Sequence, residues 1–203
     1  MKLDDALSQI SEIRQQMAAS SVFRGYRPLT TAITAGIAVV AASLQAWFVQ
    51  DPVAHWRGYL FVWLGAAVVG IVIVGAEMVL RTVRSGSTLQ RQTTFHAVDQ
   101  FVPSLAAGAT CTYVIVAHTS ALALLPGLWM VLFSLGVFAS RRFLPRGAFT
   151  VAGYYLLAGL YCLSLPPEKS LSAWTMGVVF GAGQLGAAAV LYWFLERQHG
   201  RRE

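Results

Sequence analysis

Few residues of this chain can do chemistry, and those that stand out do so because of the apolar surroundings in which they fall. Gln184 sits near the middle of an apolar run, Ala173 to Leu195. Thr110, Cys111, Thr112 and Tyr113 make another run polar at mid-length, and Glu77 closes a third with Arg81 four residues on. A polar group in hydrocarbon is costly unless it has a partner or a role. Gln184, Thr110, Thr112, Tyr113 and Glu77 are therefore the candidate ligand-binding or cavity-lining residues. Each has a structural alternative. The Gln184 amide can bond across a helix bundle, a threonine hydroxyl can bond a carbonyl of its own helix, and the spacing of Glu77 and Arg81 puts them on one helical face as a pair near the headgroups.

Catalytic and metal chemistry have weaker support. His96 and Asp99 stand three apart at the start of a helix, a spacing that suits a metal ligand or proton carrier and equally a cap. His55 and His118 fall near ends of apolar runs, away from mid-span, where an axial pair would be expected. Cys111 and Cys162 lie in apolar runs without a local motif and read as inert thiols. HExxH, GxSxG, P-loop and CxxC patterns are absent. No catalytic residue, metal ligand or cofactor is assigned, and an enzyme would need His96, Asp99 and Glu77 to converge.

The elements that position these residues are six apolar stretches, Thr30 to Val49, Tyr59 to Leu80, Val98 to Ala117, Leu122 to Ala139, Ala148 to Leu165 and Ala173 to Leu195. Runs of about 18 to 22 residues match a hydrocarbon core of roughly 30 Å at about 1.5 Å per helical residue. Hydrophobic residues make up 56% of the chain and charged residues 12%, where a soluble domain carries about 25% charged. The expected fold is all-α, a polytopic membrane helix bundle of six transmembrane helices plus an N-terminal amphipathic helix. Residues 1–27 form the amphipathic helix and linker, 28–197 the six-span domain and 198–203 a tail.

Basic residues orient the spans. Lys2, Arg14, Arg24 and Arg27 precede the first; Arg81, Arg84 and Arg91 follow the second; Arg141, Arg142 and Arg146 follow the fourth; Arg197, Arg201 and Arg202 follow the sixth. The first connector has Arg57 alone, the third no basic residue, and the fifth Lys169 beside Glu168. The positive-inside rule places both termini of a multi-pass membrane protein in the cytoplasm. It also accounts for the net charge of +6 without nucleic acid. The first run is too long for a signal-peptide core and follows a polar segment, so it reads as a retained span.

Pro28, Asp51-Pro52 and Pro166-Pro167 mark boundaries, and Pro126-Gly127 either starts the fourth helix late or kinks it. Trp47, Trp56, Tyr59, Trp63 and Trp174 near one set of ends, with Tyr192 and Trp193 near the other, read as interfacial anchors. Small residues recur at helical spacing in Ala66 and Gly70, in Ser104, Gly108 and Thr112, and in Gly177 with Gly181 and Gly183 with Ala187. Such stripes let backbones approach within a bundle. Pro28, Ala35, Gly36 and Ala41 align without gaps onto Pro145, Ala152, Gly153 and Ala158; a duplication would give a parallel repeat, but four matches among small residues in apolar helices arise easily by chance.

Ahead of the first span, Leu3, Ala6, Leu7, Ile10, Ile13 and Met17 fall on one helical stripe, opposite Asp4, Asp5, Ser8, Glu12, Gln15 and Gln16. A helix lying on an anionic leaflet carries basic residues on its polar face, and this one carries acids. Leu7, Ile10, Ile13 and Met17 are therefore the expected partner-binding face, docking on the bundle, on a second copy or on another protein.

The opening Ile13, Arg14, Met17, Ser20 and Phe23, followed by the first span, resembles the IRxxMxxSxxF opening of an uncharacterised family of small six-helix bacterial membrane proteins. The likeness extends to Pro126, Gly127, Leu128 and Trp129 and to the glycine-rich last span. Members often have a histidine after a GFG-like stretch there, whereas Gly181, Ala182 and Gly183 are followed by Gln184, so a histidine-based role does not carry over. The resemblance implies an architecture and no activity. The expected function is that of a noncatalytic membrane subunit or sensor-like module binding a partner protein, a lipid or an apolar ligand. The alternative is a small-solute transporter or channel lined by the third and sixth spans.

Overall fold

A computed structural model describes residues 28–85, 88–119, 121–142, 144 and 147–199. The amphipathic segment with Leu7, Ile10, Ile13 and Met17 lies outside the described residues. The described residues form helices joined by short connectors, with no strand among them: α1 (Pro28–Phe48), α2 (Trp56–Ser85), α3 (Thr88–His118), α4 (Leu125–Ala139), α5 (Ala148–Leu163), the short α6 (Pro167–Ser170) and α7 (Ala173–His199). Three-residue 3-10 turns at Leu122–Leu124 and Ser140–Arg142 flank α4.

Five segments are long and apolar enough to cross a membrane: Pro28–Phe48, Trp56–Leu80, Thr94–His118, Leu122–Ala139 and Ala173–Trp193. The expected fifth span is a shorter helix. α5 has 16 residues, a rise of about 24 Å at about 1.5 Å per residue. It stops at Leu163 because Leu165 precedes Pro166 and Pro167, whose rings exclude the helical conformation from the residue ahead and remove backbone donors. Of the two readings of Pro126-Gly127, the structure takes the late start. Pro126 lies in the first turn of α4, after the 3-10 turn, where a missing N–H breaks no helical bond.

Helices adjacent in sequence pack on one another, and α7 returns against α1, closing a ring in the order α1, α2, α3, α4, α5, α7. The seams are unequal. The α1–α7 and α4–α5 contacts are the most extensive and α2–α3 the least. Small residues explain the tight seams, because dispersion between closely approaching backbones replaces a hydrophobic drive that lipid cannot supply. A Cβ on Gly177 would run into the Ala42 side chain, and one on Gly181 would touch Val39 at 3.7 Å. Gly70, expected at a packing face with Ala66, has nothing within 4 Å of its Cβ position, and the same holds for Gly65 and Gly75.

The largest buried cluster lies at the end of the ring that carries Trp56, with Ala42 from α1, Tyr59 and Trp63 from α2, Ile115 from α3, Met130 from α4, Cys162 from α5 and Met176 from α7. Tyr59 and Trp63 are therefore core residues, 1% and 5% exposed, and the reading of both as interfacial anchors is corrected. Trp47, Trp174 and Trp193 are exposed, as anchors would be. Tyr59 and Trp63 are separated by one helical turn, on the face of α2 turned to the ring, while Phe61 between them is 82% exposed.

Candidate functional site

Gln184 lies half-buried on α7, where it joins three helices. Its Oε1 accepts from the Thr34 hydroxyl of α1 at 3.0 Å, and its Nε2 donates to the Tyr155 hydroxyl of α5 at 3.3 Å. Tyr155 in turn donates to the Phe180 carbonyl at 3.3 Å. Thr34 has a single proton and a second acceptor, the Thr31 carbonyl at 2.7 Å, so its hydroxyl serves one of the two at a time. Tyr155 is fully buried, and its ring meets Phe133 edge-on at a centroid distance of 4.8 Å and Phe180 at 5.3 Å. Gly183 makes room for it, since a Cβ there would overlap the Tyr155 ring.

Chemically this arrangement is a clamp. An amide and two hydroxyls supply donors and acceptors, but none titrates near neutral pH, so the group lacks a general acid or base. Its polar atoms are already spent on one another.

The α3 residues do not join it. Thr110 is exposed and donates to its own helix at the Ala106 carbonyl, 2.9 Å away. Tyr113 is 69% exposed, with its ring edge-on to His118 at 6.4 Å. Thr112 alone turns inward, donating to the Gly108 carbonyl at 2.7 Å and accepting from Trp129 Nε1 of α4 at 2.9 Å. The physical reason is the helical repeat: consecutive residues point about 100° apart, so a run of polar residues cannot face one cavity. α3 and α7 barely meet. Glu77 is half-buried on α2, and the Arg81 side chain falls outside the described ones. Among the described residues no group of three or more His, Cys, Asp or Glu comes together.

A second polar group, which the sequence reading missed, lies at the Trp56 end. Gln45 of α1 is 1% exposed. Its Nε2 donates to the Leu171 carbonyl at 2.7 Å, and its Oε1 accepts from Trp63 Nε1 at 2.6 Å. Close by, Ser170 donates to the Ala123 carbonyl at 2.6 Å and stands 3.5 Å from the Cys162 sulfur. These bonds fasten α6 and the 3-10 turn over the end of the ring. The signal for Gln45 is its spacing: it continues the stripe Ala35, Ala38, Ala42 at three- and four-residue steps, all buried.

Compared with known proteins, this chain matches no protein family, no curated protein and no solved structure.

Proposed function

We propose that this is a noncatalytic multi-pass membrane protein, a subunit or sensor-like module that binds a partner protein, a lipid or an apolar ligand through its lateral surface. In this reading α1 to α5 and α7 cross the bacterial inner membrane with both termini in the cytoplasm. α5 packs between α4 and α7 and leaves Leu157, Leu160 and Tyr161 exposed, so the bilayer thins beside this short span. Leu7, Ile10, Ile13 and Met17 form the docking face of a cytoplasmic helix, since their apolar stripe stands opposite an acidic face unsuited to an anionic leaflet.

The observation that carries the reading is the Gln184 clamp. A solute path lined by the third and sixth spans needs free polar groups that converge, whereas the Gln184 amide is bonded to α1 and α5 and Thr110 and Tyr113 point away from the bundle. The binding surface we favour is the α2–α3 face, where the ring is least packed and Val68, Val72 and Val102 are exposed.

The test combines two measurements on the full chain. Reconstituted in liposomes, the protein should give no ion or small-solute flux above protein-free vesicles. A photo-reactive side chain at Val72 in native membranes should yield a discrete protein or lipid adduct that the same probe at Leu157 on α5 does not. Flux that Gln184→Leu abolishes would replace this reading with the transporter.

A further inference from the structure

α3 is the misfit among the long apolar segments. With α7 it shares the lowest mean hydropathy of the five, and it is the least buried of them. α7 packs its length against α1, whereas α2, nearly as exposed as α3, is the most apolar of the five and suits lipid. Polar groups on a helix that faces hydrocarbon are costly, and a neighbouring helix is what relieves them.

The bare residues of α3 form one stripe. Val102, Ala106, Ala109, Thr110, Tyr113 and Ala117 are all exposed, and at steps of three and four they fall within about 100° of the helix surface. Thr112 and Ile115 lie on the other side, buried in the ring. Ala106, Ala109 and Thr110 are small enough for a second helix to cross closely at mid-span.

Small residues alone admit any neighbour, and the two hydroxyls narrow the choice. Thr110 spends its only proton on the Ala106 carbonyl, so towards a neighbour its oxygen can only accept. The Tyr113 ring meets that of His118, but its hydroxyl bonds nothing among the described residues and has a proton to give. Acceptor and donor stand three residues apart on the same face, about 4.5 Å along the axis. The stripe is therefore complementary to itself.

We propose that the chain pairs with a second copy of itself through α3. The inference rests on the lateral-binding reading above and names its partner. Both copies have the same orientation in the membrane, so the two α3 helices run parallel about a two-fold axis. They cross at Ala106, and each Tyr113 hydroxyl donates to Thr110 of the partner subunit. One patch serves both copies, so the contact closes at a dimer. A crossing angle of about 40° makes room for the two phenols above Ala106, and below it carries the Asp99 carboxylates apart towards the headgroups.

The test follows energy transfer between full-length copies, labelled with donor or acceptor dye on the tail and diluted into liposomes. The signal should obey a monomer–dimer equilibrium. Ala106→Phe should abolish it, and Tyr113→Phe, which removes both interhelical bonds, should weaken the dimer about eightfold. In native membranes Ala106→Cys should oxidise to a linked dimer, while the unsubstituted chain and Leu157→Cys should not. If Ala106→Phe does not fold, the cysteine result decides. A chain that stays monomeric at every density, or a dimer that Ala106→Phe or Tyr113→Phe leaves equally tight, overturns the proposal. If the Val72 probe then captures another protein or a lipid, lateral binding stands without this partner; if it captures nothing, both readings fall.

Discussion

Gly127 of α4 and Gly159 of α5 face each other so closely that a Cβ on either would meet the other's carbonyl oxygen at 2.9 Å. The obstruction is backbone, which cannot swing aside as a side chain tip can. Gly159→Ala should therefore separate α4 from α5 and destabilise the bundle by about 1–3 kcal/mol, the usual cost of overpacking. Thermal unfolding in detergent reads this directly. Gly153→Ala on the same helix is the control, because nothing lies within 4 Å of its Cβ position.

Gln184→Leu should be tolerated. Once the amide is gone, Tyr155 keeps the Phe180 carbonyl and Thr34 keeps the Thr31 carbonyl, so no hydroxyl is orphaned. Interhelical side-chain bonds in membranes average about 0.6 kcal/mol, and the loss should stay below roughly 1 kcal/mol. A collapse of folded yield on this substitution would contradict the clamp.

Gln45→Leu should cost more than Gln184→Leu although both remove an amide. It strands the indole N–H of Trp63 and the Leu171 carbonyl in the core, at about 1–3 kcal/mol for each unmade partner. In a double-mutant cycle, Trp63→Phe should hurt less in the Gln45→Leu background than alone, since the stranded donor is then absent.

On α3, neighbouring threonines should behave oppositely. Thr110→Val removes a bond from an exposed hydroxyl to its own helix and should change stability by less than about 0.5 kcal/mol. Thr112→Val takes away the acceptor of the Trp129 indole and should cost about 1–2 kcal/mol. Equal effects at both positions would mean that α3 is rotated from the orientation described above.

The aligned positions of α1 and α5 lie in similar surroundings. Ala35 and Ala152 are both buried, and Gly36 and Gly153 both face open space. Ala42 and Gly159, which continue the alignment in register, are the residues at which α1 meets Gly177 and α5 meets Gly127. The two helices thus use matching positions to cross their principal neighbours.

Helix positions and the apolar class of the protein were legible in the chain because they depend on local sums: twenty-odd apolar residues, a proline, a charged connector. Gln184 was legible for the same reason, as an amide whose burial cost shows in one dimension. Which way Thr110, Thr112 and Tyr113 point was not, because a helix that is apolar all round carries no hydrophobic stripe to name its inner face. That choice, with the burial of Tyr59 and Trp63 and the partnership of Gln45, was made by the neighbours, through close crossings such as Gly177 on Ala42 that fix each helix's rotation. Hydropathy sets that a segment is apolar and how long it is. Rotation follows from packing between segments far apart in the chain, and only the assembled ring supplies it.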